Sequence, residues 1–72
     1  MTRDEHLAWC KKRAHEYLDR GDITNAIASM GSDLRKHPET ENHAGIALGT
    51  MLMLTGNLSD MHEARRFIDG FN

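Results

Sequence analysis

Apolar side chains recur at helical spacing along nearly the whole chain, and no stretch shows the alternation typical of a β-strand. The first predicted helix begins at Thr2, because Thr2 and Glu5 have the spacing of a capping box in which each side chain accepts from the other's backbone amide. Gly21 ends this helix, since glycine takes the left-handed conformation without a steric clash. Its apolar stripe consists of Leu7, Cys10, Ala14, Tyr17 and Leu18.

Three further helices follow at short intervals. Asp22 is the expected N-cap of the second helix, and Pro38 is expected both to end it and to occupy the first turn of the third. Gly56 ends the third helix, and Ser59 caps the fourth. The pattern therefore predicts one all-α domain over residues 1–72, a compact four-helix unit made of two helical hairpins.

The third predicted helix is apolar on every side. Ala44, Ala47, Leu48, Met51 and Leu52 form its main apolar face. Ile46 and Met53 project from the opposite side, and a helix that is apolar all round is normally buried all round. We therefore expect this helix to be central, or to meet a second copy of the chain through Ile46 and Met53. Gly45 and Gly49, four residues apart, are expected to allow close packing.

The first half of the chain has features of a tetratricopeptide unit. A weak internal repeat has a period close to the ~34 residues of such units. Ala14, Tyr17, Gly21, Ala26 and Pro38 fall at the small, aromatic, turn and closing positions. Asp33 departs from this pattern, because it stands where the unit has a second small residue. A pair of ordinary helical hairpins would show similar features, so both interpretations stay open.

Composition narrows the class of protein. The net charge is -2, with 9 Lys+Arg against 11 Asp+Glu, which is too balanced for a dedicated nucleic-acid binder. The apolar run from Ala44 to Leu54 is shorter than the ~20 residues that a membrane-spanning helix needs. The first residues lack a signal-peptide pattern, and one cysteine cannot form an internal disulfide. We therefore expect a cytoplasmic protein without membrane association.

Candidate catalytic groups are few. His15, Glu16 and Asp19 have part of the spacing of a zinc-hydrolase helix, but no third metal ligand is evident. Cys10 lies on the apolar stripe, where a cysteine normally serves as a small buried side chain. The other histidines are scattered along the chain. We therefore expect no enzyme, no metal and no cofactor, and keep a metal-dependent hydrolase as the third hypothesis.

Two surface features point to binding. Trp9 falls among charged residues on the first helix, which is typical of an interface anchor, with Arg13 as a charge at its rim. Met53 lies off the main apolar face. These three residues predict a protein-binding module. The alternative is a nucleic-acid-binding helical domain using the basic side of the first helix, formed by Lys11, Lys12, Arg13 and Arg20.

Several short segments resemble small uncharacterised proteins encoded in tailed-phage and prophage genomes. They are Trp9-Cys10-Lys11, Ala28-Ser29-Met30, Asp33-Leu34, Lys36-His37-Pro38-Glu39-Thr40 and Gly70-Phe71-Asn72. The resemblance covers nearly the whole chain. It implies a protein made in an infected bacterial cytoplasm that binds a host or phage protein.

Overall fold

The computed structural model describes residues 2–56 and 60–71, and this part of the chain folds into four α-helices. The helices are α1 (Arg3–Asp19), α2 (Ile23–Leu34), α3 (Ala44–Leu54) and α4 (Met61–Asp69). No strand occurs within the described ranges. The prediction of an all-α four-helix domain is confirmed.

The start of α1 and the α1–α2 turn follow the sequence signals closely. Thr2 Oγ1 accepts from the Glu5 amide at 3.1 Å, and Glu5 Oε1 accepts from the Thr2 amide at 2.9 Å. Hydrogen bonding of the Glu5 carboxylate to the Thr2 amide, and secondarily to the Thr2 side chain, lowers the pKa of Glu5, because it favours the carboxylate form. Gly21 has a φ of +77°, and Asp22 accepts from the Asn25 amide at 3.1 Å. The predicted capping box, turn glycine and N-cap are therefore all present.

The core lies between α1 and α2 and is closed on one side by α4. Ala14 and Ala26 are fully buried, which lets the first two helices approach closely. α4 packs on both of these helices. The remaining buried apolar side chains are Leu7, Cys10, Leu18, Ile27, Met30, Leu34, Ala64, Ile68 and Phe71. The α1–α2 hairpin is therefore the centre of the domain.

The connection from α2 to α3 corrects the prediction that the third helix begins at Pro38. Residues 35–42 form turns, in which the His37 carbonyl accepts from the amides of Thr40 and Glu41 at 3.0 and 2.9 Å. The buried Thr40 hydroxyl donates to the Leu34 carbonyl at 2.6 Å, so it satisfies an acceptor left open by the end of α2. A proline suits this turn as well as it suits a helix start.

Two helix N-caps differ from the expected residues. The His43 imidazole caps α3, where Nδ1 accepts from the Gly45 amide at 2.9 Å. Asp60 caps α4 and accepts from the His62 amide at 2.7 Å. Ser59, the expected cap, lies outside the described residues. The fourth helix is therefore predicted correctly, within a residue or two of its start.

The expectation that the third helix is central and shielded on every side is wrong. α3 packs mainly on α2, and Gly49 is its single buried residue. Gly45 and Gly49 do act as close-packing sites, as predicted, but the groups that approach them are the rings of Phe71 and Phe67. Because these rings need only one flank of α3, the opposite flank remains exposed to solvent.

Candidate interaction surface

The most distinctive surface of the domain is the outer side of α3. We call it the α3 face; it consists of Ala44, Ala47, Leu48, Met51 and Leu54, all of which are exposed. Leu48, Met51 and Leu54 are exposed by 48%, 61% and 84%. Large apolar side chains grouped in this way on a small domain are typical of an interaction site.

The α3 face carries no charge. Residues 42–59 contain no Asp, Glu, Lys or Arg, although charged residues make up 28% of the chain. Solvated helix faces in soluble proteins are normally rich in such residues. The α3 face therefore lacks the composition of a surface that simply faces water.

Ile46 and Met53 lie on the inner side of α3, which reverses the predicted assignment of its two faces. Both side chains are partly buried and pack against the core. They line an apolar cleft of about 270 Å³ between α2 and α3, together with Ile27 and Phe67. Ile46 and Met53 therefore lie partly buried against the core on the side of α3 that faces α2, and their predicted roles in self-association and partner contact stay predictions.

A second apolar depression borders the α3 face. It has a volume of about 460 Å³, and Ala44, Leu48, Phe67 and Phe71 line it, with Arg66 also contributing. Phe67 and Phe71 meet edge to face, with ring centroids 5.1 Å apart. The α3 face is therefore continuous with a groove that ends at the aromatic pair beside α4.

Trp9 and Arg13 lie together, as predicted, but on a different side of the domain from Met53. Trp9 is half-buried and packs against the core. The Arg13 guanidinium carbon lies 5.0 Å from the Trp9 ring centroid, and Lys36 Nζ lies 5.6 Å from it. The two cations cover the indole through cation–π contacts. Trp9 is therefore a partly covered side chain within the α1–α2 packing.

Asp33 explains why two cations gather beside Trp9. Its carboxylate is buried, and it accepts from Arg13 Nε at 2.8 Å, Lys36 Nζ at 3.0 Å and Ser29 Oγ at 3.2 Å. A buried carboxylate is costly unless it is paired and hydrogen-bonded in this way. Asp33, the residue that departs from the tetratricopeptide pattern, is thus the centre of a polar cluster that joins α1 to α2.

His6 and Cys10 extend this cluster into the core. His6 Nε2 donates to the Asp33 carbonyl at 2.7 Å, and Cys10 Sγ lies 3.5 Å from the same nitrogen. Burial raises the pKa of the Cys10 thiol to about 11, so the thiol is neutral and unreactive at neutral pH. The prediction that Cys10 is a core residue is confirmed. Sequence reasoning missed His6 as its neighbour, although the i,i+4 spacing was a usable signal.

His15 and Asp19, two residues of the hydrolase hypothesis, contact residues of α4. His15 donates from Nε2 to Asp69 at 2.6 Å, and its Nδ1 accepts from Arg65 at 3.0 Å. Asp19 lies 3.6 Å from Arg65. These contacts join α1 to α4. Over residues 2–56 and 60–71, no three His, Cys, Asp or Glu side chains converge into a group suited to a metal ion.

The basic residues of α1 diverge around the helix. Lys11 donates to the carbonyl of Asp69, the last residue of α4, at 3.1 Å, whereas Arg13 pairs with Asp33 on α2. Lys12 is exposed, and Arg20 lies over the Tyr17 ring at 5.7 Å. The cations that sequence reasoning grouped on one side of the helix therefore do not line up as a stripe.

Comparison with known proteins gives no relative: no family model matches the chain, and no curated protein or solved structure is significantly similar to it. None of the helices in the described part of the chain has the length and apolar character needed to cross a membrane.

Proposed function

We propose that this chain is a small non-enzymatic protein-binding module whose contact surface is the α3 face. The observation that supports the proposal is the exposure of Leu48, Met51 and Leu54 on one uncharged side of one helix. Burial of a leucine or methionine side chain contributes about 1.5–3 kcal/mol. A partner that covered all three side chains would offset much of the roughly 4–15 kcal/mol that association costs.

The groups that would be needed for catalysis are already used in packing. Cys10 is buried beside His6, and both ring nitrogens of His15 are occupied by partners on α4. Asp33 is surrounded by donors that hold it between α1 and α2. These roles support a structural scaffold that presents a surface.

The nucleic-acid alternative has weaker support. Two of its four candidate cations, Lys11 and Arg13, are engaged by groups of the chain itself. Binding through phosphate contacts would weaken steeply as salt increases. Absence of binding to single- or double-stranded DNA or RNA at ~50 mM salt would remove this alternative.

The resemblance to phage and prophage proteins suggests where a partner should be sought. We expect the partner to be a protein made in the same bacterial cytoplasm, whether of the host or of the phage, and a second copy of this chain belongs to that set. The experiment places a photo-crosslinking amino acid at Met51 and, as a matched control, at Ala8, an exposed residue of α1. Irradiation in bacterial cells should give adducts of discrete mass for the Met51 position.

The control position should give no such adducts. Identical adduct patterns from Met51 and Ala8, or no adducts from either, would contradict the proposed role of the α3 face. Adducts confined to Ala8 would move the interface to α1, beside the polar side that carries Lys12.

A further inference from the structure

The α3 face has a gradient of side-chain size along its length. Its N-terminal half presents the small residues Ala44 and Ala47, and its C-terminal half presents the large residues Met51 and Leu54, with Leu48 between them. At ~100° per residue these positions form one stripe centred on Met51. The stripe has the three- and four-residue spacing by which helices interdigitate.

The same stripe turned end for end is complementary to it in side-chain size. In an antiparallel pair, Leu54 of one copy would lie over Ala44 and Ala47 of the other, and Leu48 would lie beside Met51. A parallel pair would instead set small residues against small and large against large, which leaves voids at one end and crowding at the other. Close packing therefore favours the antiparallel arrangement.

Charge complementarity agrees with a second copy as the occupant. Residues 42–59 offer no charge to an acidic or a basic partner, whereas two copies of this segment meet without like-charge repulsion. A two-fold interface needs one patch that is complementary to itself. The α3 face meets that requirement in both shape and charge.

We propose that the α3 face is the site at which a second copy of this chain docks, antiparallel, about a two-fold axis near Leu48 and Met51. The proposal rests on the proposed function, because it names the partner of the same surface. The aromatic groove beside Leu48 lies at the edge of the paired helices and enlarges the contact.

The size of the surface limits the area that the dimer can bury. Stable complexes bury about 800 Å² on each partner. The whole chain exposes 4462 Å², and α3 is only 11 residues long. A stripe on an 11-residue helix is smaller than a usual interface, so we expect a weak dimer that forms only at high protein concentration.

Sedimentation equilibrium at increasing protein concentration measures this association directly. We expect the wild-type chain to shift from monomer towards dimer between about 10 µM and 1 mM, the concentration range in which weak complexes form. Leu54→Glu should remain monomeric, because it places two charges in the apolar contact. Leu54 is 84% exposed, so the substitution should leave the fold intact by circular dichroism. The matched control Ala8→Glu should dimerise like the wild type.

A mixing experiment tests the orientation. Ala47→Lys and Leu54→Glu should each be monomeric alone, and their mixture should form heterodimers, because the antiparallel register brings the new charges together. Failure of the mixture to associate, while the wild type dimerises, would overturn the antiparallel arrangement.

The outcome of sedimentation also separates this proposal from the proposed function. A wild-type chain that stays monomeric at 1 mM would overturn self-association. Adducts from Met51 to a different protein would then still support a protein-binding module. Adducts from Met51 at twice the mass of the chain, if they disappear in the Leu54→Glu variant, would support both self-association and the protein-binding module.

Discussion

α2 and α3 differ in a way that their compositions do not suggest. α3 carries the larger share of apolar side chains, yet α2 buries Ala26, Ile27, Met30, Asp33 and Leu34, whereas α3 buries only Gly49. α2 has a polar side that faces solvent, so its apolar side has a defined direction. α3 has no charged side to fix its orientation. Amphipathicity, more than hydrophobicity, therefore decides which helix enters the core.

The largest expected effect is the difference in the free energy of unfolding between alanine variants of one leucine in α2 and one leucine in α3. Leu34→Ala removes a fully buried side chain and should lower the free energy of unfolding by about 3 kcal/mol. Leu54→Ala should change it by less than about 0.5 kcal/mol, because Leu54 is already exposed to water. Urea unfolding followed by circular dichroism, at low micromolar protein, measures both. Equal losses for the two variants would show that α3 contributes to the core as much as α2.

A smaller effect is expected at the buried carboxylate of α2. Asp33→Asn leaves Arg13 and Lys36 without their acceptor charge, and should cost about 1–3 kcal/mol. The two cations are partly exposed and can be rehydrated, which limits the loss. Asp19→Asn is the matched control at an exposed carboxylate and should have little effect. Of the two variants, only Asp33→Asn should change the fluorescence of Trp9. If Asp33→Asn changed neither the free energy of unfolding nor the fluorescence, the cluster would not hold α1 to α2.

The smallest expected effect concerns Cys10 and appears only in alkaline solution. The pKa of its thiol is raised from 9.0 to about 11 in the folded chain, because burial disfavours the thiolate. Between these values the unfolded chain loses the proton and the folded chain keeps it, so stability falls as the pH rises. The variant Cys10→Ala has no thiol to titrate, so it should not show this loss of stability as the pH rises. Below pH 9 the thiol should resist alkylation until the chain is unfolded by urea; rapid alkylation of the folded chain would contradict its burial.

The helices themselves could be predicted from the sequence because their signals are local. The Thr2–Glu5 capping box, Gly21 and Asp22 act within a few residues, and each is found where expected. Pro38 misled the prediction because its restricted φ suits both a helix start and a turn. The Thr40 hydroxyl supports the turn by reaching back six residues to the Leu34 carbonyl, a local contact that the signals used for helix ends do not include.

The candidate surface could be predicted only in part. The apolar character of the third helix was evident from its composition, but its exposure was not, because a helix that is apolar on every side was expected to be shielded. Which flank faces inward was not evident either, because that depends on Phe67 and Phe71 finding Gly49 and Gly45 across the fold. The Asp33 cluster likewise needs the α1–α2 register to bring Arg13 to α2, although Ser29, Asp33 and Lys36 already share one side of that helix or its end.

The buried hydroxyl of Thr40 has a consequence for how two chains can meet. Its hydrogen bond to Leu34 fixes the segment between α2 and α3 at Thr40. Only residues 41–43 then separate this fixed point from the start of α3. Three extended residues reach about 10 Å, which is too short to carry α3 across to another molecule. Domain swapping of α3 is therefore disfavoured as long as the Thr40 anchor is kept, and pairing of intact units is the arrangement that this connection favours.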